Sequence, residues 1–170
     1  MFKTKDQRSS EVTKLENELK IYSDSDWAGN TGSVSTHRRS RSGTHVTLYG
    51  GTIDWKSKLQ SVISLSSTEA EYYAAIQSSK CALHLRVLLY EIQNGRMKNA
   101  DHELSLPPLQ LWMDNQSAIA QIGSSDIREA SKHTQVRYYW LKDTVSLGYL
   151  KYDYIKTGDN LADMHNEDHL

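Results

Sequence analysis

The sequence is poor in the features that would mark a stapled, metal-knuckled or membrane-embedded chain. Its single cysteine, Cys81, excludes an internal disulfide and any multi-cysteine zinc site. No apolar run approaches the ~18 residues of a membrane span. The opening residues, MFKTKDQRSSEV, are polar, so no secretory signal is expected there. Charge of one sign is also missing: 20 Lys and Arg stand against 21 Asp and Glu, a net of −1. Bulk charge therefore does not advertise a nucleic-acid binder, and any such role must come from local clustering. With two prolines, 38% hydrophobic and 24% charged residues, the composition is that of a globular chain rather than a disordered one. A length of 170 residues suits one domain, in which roughly 70% of the unfolded chain's surface can be buried. The expectation is a soluble intracellular protein, not a secreted one, with no membrane partner.

Strand patterns come first along the chain, followed by alternating helix and strand. Residues 1–17 are charged and weakly amphipathic and read as a tail or linker, leaving 18–170 as the domain. Leu19–Ser23 predicts a strand that ends in Asp24-Ser25-Asp26-Trp27, followed by a Gly, Asn, Ser and Arg-rich loop from Gly29 to Arg41. Thr44–Tyr49 and Thr52–Lys56 flank Gly50-Gly51, a two-residue hairpin signal. Ser66-Ser67-Thr68-Glu69 has the capping-box pattern, with Thr68 to Glu71 a second possible register. Beyond it Glu71, Ala74, Ala75, Ser78, Cys81, Ala82, Leu85, Leu88, Leu89 and Ile92 fall on one face of a long helix, small at its start and bulky at its end. A polar connection over 95–108 leads to a strand at Leu109–Met113 and a short helix at Gln116–Ile122. A longer helix from about Ser131 to Ser146, a strand at Tyr149–Ile155 and a short final helix beginning at Asn160 complete the chain. The order βββαβααβα predicts an α/β (mixed α+β) domain with a mixed sheet flanked by helices.

Four acids sit at the edge of an element beside a turn: Asp24, Glu71, Asp114 and Asp163. Sheet-to-helix junctions are where open sheets place ligand crevices. Taken singly, each acid is explained as a helix cap. Together, four converging carboxylates would repel one another unless divalent cations neutralised them, and hard oxygen ligands suit Mg²⁺. Glu71 shares the apolar face of the long helix, whereas Glu69 lies about 200° from it at ~100° per residue and serves better as the capping-box acceptor. Asp24 and Asp26 share a strand face, so periodicity does not choose between them.

The segments Tyr22-Ser23-Asp24-Ser25-Asp26-Trp27-Ala28-Gly29, Arg39-Ser40-Arg41-Ser42-Gly43, Trp55-Lys56-Ser57-Lys58 and Leu65-Ser66-Ser67-Thr68-Glu69-Ala70-Glu71-Tyr72 closely resemble the ribonuclease H domain of Ty1/copia-type retrotransposon polyproteins. Met113-Asp114-Asn115-Gln116-Ser117-Ala118, Lys132-His133 with Arg137-Tyr138, and Asn160-Leu161-Ala162-Asp163 continue the match in order. The resemblance implies a ribonuclease H-like fold with a five-stranded mixed sheet. It also implies endonucleolytic hydrolysis of the RNA strand of an RNA–DNA hybrid during reverse transcription. Its metal-binding, catalytic carboxylates carry over to Asp24, Glu71, Asp114 and Asp163, which selects Asp24 over Asp26. Two Mg²⁺ ions, with Mn²⁺ as a substitute, would straddle the scissile phosphate about 3.5–4 Å apart. Asp24 would bridge both, with Glu71 and Asp114 on one side and Asp163 on the other. An upstream reverse transcriptase in a parent polyprotein, and a cytoplasmic (virus-like particle) or nuclear location, are also implied. One departure is that the loop Tyr154-Ile155-Lys156-Thr157-Gly158-Asp159 lacks the histidine that many ribonucleases H carry there.

Basic residues cluster locally. Arg38, Arg39 and Arg41 precede the hairpin, Lys56 and Lys58 follow its second strand, and Lys132 and Arg137 lie near the helix after the fourth strand. They are candidates for phosphate contacts or ordinary solvated side chains. Asn115 and Gln116 could reach minor-groove edges or cap the following helix. Trp55, Trp112, Tyr138 and Trp140 are expected in the core, Trp27 in the loop beside the acids, and Cys81 as an inert buried thiol. Two competing readings stay open: a catalytically silent ribonuclease H-like scaffold that binds nucleic acid or a partner domain, and an integrase-like DNA nuclease.

Overall fold

The computed structural model describes residues 18–27, 39–94, 107–124 and 132–165. The expected tail at 1–17, most of the Gly29–Arg41 loop with Arg38, and most of the 95–108 connection lie outside the described residues. The elements in chain order are β1 (Leu19–Asp26), β2 (Arg41–Leu48), β3 (Gly51–Leu59), α1 (Ser67–Asn94), β4 (Leu109–Met113), α2 (Gln116–Gly123), α3 (Lys132–Ser146) and β5 (Leu150–Tyr154). Two 3₁₀ turns follow, Thr157–Asp159 and Asp163–His165, in place of the short final helix that the sequence pattern predicts.

The five strands form one sheet in the order β3-β2-β1-β4-β5. β1, β2 and β3 pair antiparallel, while β4 joins β1 and β5 joins β4 in parallel. The parallel pairs need crossovers, and α1 together with the α2–α3 pair supplies them. The antiparallel ladder runs further than the sequence pattern predicts. Asp24 pairs with Gly43, Ser25 with Ser42 and Asp26 with Arg41, so the acidic run lies inside β1 rather than after it. Backbone pairing to β2 overrides the polar character of those side chains, because the ladder satisfies main-chain groups whatever the side chain.

The hairpin turn is displaced by one residue from the Gly-Gly pair. Leu48 pairs with Gly51, and the two loop residues are Tyr49 and Gly50, with φ of 52° and 79°. Positive φ at both positions is the type I′ pattern, whose backbone twist matches that of the strands. Gly50 takes this conformation freely, while Tyr49 carries a Cβ into it.

α1 is 28 residues long, about 42 Å at 1.5 Å per residue, whereas β1, of 8 residues, spans only about 27 Å. The helix therefore outruns the sheet. Its first turns press Ala70, Ala74 and Ala75 fully against the strands, and its bulky end leaves Leu88 and Ile92 exposed. Leu19, Ile21, Val46, Leu109, Leu111, Met113 and Leu150 form the sheet side of the core; Tyr72, Ile76, Ala118, Ile122 and Leu141 form the helix side. Arg86 is buried on α1 and donates to the carbonyls of Tyr149 and Pro107, tying the helix to the segments that enter β4 and β5.

Two core expectations need correcting. Trp55 is 61% exposed, because β3 is an edge strand whose outer residues have no further layer over them. Cys81 is only half-buried, with its thiol against Asp54 Oδ2 at 3.4 Å and its pKa raised to about 11, chiefly by desolvation. Trp112, Tyr138 and Trp140 are partly buried, the last two packed against the core.

Asn tolerates the left-handed region better than Tyr, so Tyr49→Asn should stabilise the fold by about 0.5–1 kcal/mol. That corresponds to a melting temperature higher by roughly 1–4 °C in a domain of this size. Thermal unfolding monitored by circular dichroism measures it, and an unchanged or lower melting temperature contradicts the turn assignment.

Candidate metal centre

Parallel pairing of β1 with β4 builds the floor of the site. Ile21 lies opposite Leu111 and Tyr22 opposite Trp112. Followed two residues further, the same register sets Asp24 beside Asp114, which comes immediately after β4. The third acid arrives from α1, whose start is fixed by capping in the Ser66 register. Ser66 Oγ accepts from Glu69 N–H at 3.1 Å, and Glu69 Oε2 accepts from Leu65 N–H at 2.8 Å. With Glu69 engaged there, helical periodicity turns Glu71 inward, where it is 6% exposed.

Asp24, Glu71 and Asp114 each offer a carboxylate oxygen within 4.8 Å of the other two. Asp24 is buried and Asp114 half-buried. Glu71 Oε1 accepts from the Ser25 backbone N–H at 3.1 Å, while Oε2 is buried without a hydrogen-bond partner. An unpartnered carboxylate oxygen in a dry site is costly. Burial is the largest cause that raises the Glu71 pKa to about 9; Asp24 and Asp114 add to it, the Ser25 N–H opposes it, and Asp163 adds a smaller push. A divalent cation would satisfy the orphaned oxygen and cancel the repulsion, so the three residues fit a metal ion.

Asp163 lies in the last 3₁₀ turn, near enough to act on Glu71 electrostatically but outside the tight group of three. The turn is held by Asn160. Asn160, buried, donates through Nδ2 to Ser23 O at 3.1 Å and approaches Asp24 Oδ1 at 3.5 Å. Its Oδ1 accepts from Ala162 N–H at 3.2 Å, and its carbonyl accepts from Asp163 N–H at 3.1 Å. The only sequence signal for this is its place in the Asn160-Leu161-Ala162-Asp163 segment. Asp26, the alternative to Asp24, sits two residues further out, across from Arg41.

The candidate nucleic-acid residues distribute around the same end of the sheet. Arg41 pairs with Asp26, Lys58 with Ser42 and Lys56 with Thr44, all in register with the acid-bearing end of β1. Arg39 is half-buried just before β2, and Gln116 is exposed at the start of α2. Lys58 and Arg137 line one pocket with Ser42, Gln60, Tyr73 and Gln77. The Arg137 guanidinium lies 5.6 Å over the Tyr73 ring, a cation–π arrangement. Asn115 caps α2, its Oδ1 accepting from Ala118 N–H at 3.0 Å, a contact worth about 1 kcal/mol. Arg38 and the side chain of Lys132 lie outside the described residues. Trp27 donates from Nε1 to Ser64 O at 3.2 Å, joining the end of β1 to the loop before α1.

No protein-family model matches the chain. A retrovirus-related Pol polyprotein from transposon TNT 1-94 of Nicotiana tabacum is 37% identical over 146 residues, covering 86% of this chain and 10% of the polyprotein. That of transposon RE2 of Arabidopsis thaliana is 34% identical over 146 residues, covering 85% of this chain and 9% of the polyprotein. The chain thus spans about a tenth of the length of these relatives. Among solved structures, a ribonuclease H1 isolated from compost by a metagenomic approach superposes with a TM-score of 0.58 at 17% identity, covering 88% of this chain and 92% of that one. The same enzyme in complex with an RNA/DNA hybrid gives 0.53 at 17% identity, covering 86% and 91%. At such identities the likeness is one of fold. Among the described residues no helix is long and apolar enough to cross a membrane.

The Glu71 shift has a definite sign. A carboxyl raised from 4.5 to about 9 on folding binds a proton in the folded state that the unfolded chain has lost, so stability falls as pH rises through that window. In EDTA, the melting temperature should decline between pH 5 and 8, and the decline should be smaller in Glu71→Gln. Adding Mg²⁺ or Mn²⁺ should raise the melting temperature of the parent protein, most at the higher pH. A parent protein insensitive to both ions contradicts the metal fit.

Proposed function

The chain is homologous to one segment of the retrovirus-related Pol polyproteins of plant transposons and has a ribonuclease H-like fold, and from that premise we propose that it cleaves the RNA strand of RNA–DNA hybrids. The observation that carries this reading is the meeting of Asp24, Glu71 and Asp114, from three separate parts of the fold, within 4.8 Å. Mg²⁺ ions, with Mn²⁺ as a substitute, held by these three residues and Asp163 would supply Lewis-acid polarisation of the phosphate and a nucleophilic water near neutral pH.

The chain's own residues do the rest. Ser25 N–H holds one oxygen of Glu71 and leaves the other buried without a hydrogen-bond partner. Burial of Asp24 and Glu71 lowers the local dielectric, so their charges act strongly on whatever cation they hold. Asn160 fastens the Asp163 turn to β1. Lys58 and Arg137, brought together in one pocket, suit a backbone phosphate, with Arg39, Arg41, Lys56 and Gln116 offering further contacts around that end of the sheet. Arg38, Lys132 and Asn115 complete the proposed nucleic-acid set. Selection of RNA over DNA would rest on the 2′-hydroxyl. A ribonuclease H1 with this fold has been captured on an RNA/DNA hybrid, which supports the choice of substrate. The setting proposed is a Ty1/copia-type polyprotein with an upstream reverse transcriptase, acting in the cytoplasm within a virus-like particle or in the nucleus.

A labelled hybrid incubated with and without Mg²⁺ tests the activity. The expected result is metal-dependent cleavage of the RNA strand, with the matching DNA duplex spared. Asp114→Asn should lower the rate at least about 100-fold with the fold intact. Equal cutting of both duplexes would point to a DNA nuclease of the integrase kind, and binding without cleavage to a silent scaffold. Hybrid affinity should fall steeply with added salt, and Lys58→Ala or Arg137→Ala should each reduce the salt slope by about 1; a slope that either substitution leaves unchanged removes that residue from the interface.

A further inference from the structure

Carboxylates that repel one another must be held by something other than their own interactions, and the hydrogen bonds around Gln60 identify what does so here. Gln60 lies just after β3 and is buried. Its Nε2 donates to Ser42 Oγ and to the Ala70 carbonyl, both at 2.9 Å, and approaches Ser25 Oγ at 3.3 Å. Its Oε1 accepts from Ser64 Oγ at 2.9 Å, which fixes the orientation of the amide. Its backbone N–H donates to Ser40 O at 2.8 Å. One side chain thus joins the end of β1, the start of β2, the loop before α1 and the first turn of α1.

Two of these contacts lead directly to Glu71. The Ala70 carbonyl belongs to the peptide unit that precedes Glu71, and Ser25 supplies the backbone N–H that holds Glu71 Oε1. We infer that Gln60 is a positioning residue that holds the helix-borne carboxylate of Glu71 at metal-binding distance from Asp24 and Asp114. Without the amide, the first turn of α1 is released from the end of β1, and the Glu71 carboxyl group is no longer held against Asp24 and Asp114. The Glu71 carboxylate, which lies within 4.8 Å of Asp24 and Asp114 and has one buried oxygen without a partner, is the group whose placement would be lost. The effect falls on divalent-ion affinity rather than on the chemical step. This inference rests on the metal reading of the site and extends it to a residue with no ligand atom of its own.

The test is Gln60→Met, which keeps the length of the side chain and removes every amide contact. Mn²⁺ binding to the full chain is measured by calorimetry without nucleic acid. The dissociation constant should rise at least tenfold, while the metal-free variant keeps the parent protein's circular dichroism and a cooperative thermal transition. Hybrid cleavage at saturating hybrid, weak at low Mn²⁺, should recover to within threefold of the parent rate at saturating Mn²⁺. Unchanged Mn²⁺ affinity, or a loss that saturating Mn²⁺ does not restore, overturns the inference. Should Gln60→Met not fold, Ser64→Ala decides: it leaves the amide present but unoriented, and should weaken Mn²⁺ about threefold, whereas parental affinity overturns the inference. A parent protein that binds Mn²⁺ without cutting hybrid leaves the positioning role standing and removes the ribonuclease reading. A parent protein that binds no Mn²⁺ overturns both.

Discussion

Mutual repulsion of buried carboxylates is the constraint around which the rest of this structure is arranged. Asp24 and Glu71 lie where water cannot screen them, with Asp114 half-buried beside them, all within 4.8 Å. At such separations the Coulomb cost climbs as the effective dielectric falls. Part of the response is a proton: Glu71 is held far above the usual carboxylate range. The other part is mechanical. The β1–β4 register, the capped start of α1, the Ser25 N–H and the Gln60 and Asn160 amides each fix one approach to the cluster.

The small residues at the start of α1 belong to the same arrangement. Ala70, Ala74 and Ala75 are fully buried and let the helix lie close on the sheet, which brings a glutamate from the helix within reach of an aspartate on a strand. A larger side chain there would lift the helix away and open the site. Tyr72, on the next position of α1, stacks on Tyr138 of α3 at 3.8 Å between ring centroids, so the helix that bears Glu71 is also clamped from the side.

Much of this is legible in the amino-acid sequence. Alternation and capping signals locate the five strands, and the capping box at Ser66 to Glu69 separates Glu69 from Glu71 by their positions on the helix. The hairpin is located to within one residue. The exposure of Trp55 is not legible, because alternation along a strand does not reveal whether that strand lies at a sheet edge. The exposed bulky stripe at the end of α1 follows only from setting helix length against sheet length. Gln60, Asn160 and Arg86 give no signal of their burial, since a lone polar residue looks the same in sequence whether it faces water or joins several segments.

By itself, then, the sequence determined the order of the strands and main helices and which acids stand at or near their ends, because those properties depend on neighbours a few positions away. It also carried a resemblance that selected Asp24 over Asp26. Only the tertiary structure decided that Asp24, Glu71 and Asp114 meet within 4.8 Å while Asp163 stands further out, that Glu71 keeps an oxygen without a partner, and that Gln60 joins the end of β1 to α1. Desolvation and Coulomb energy depend on distance and burial in space, and residues 24, 71 and 114 acquire those only when β4 slides in beside β1 and α1 crosses over them.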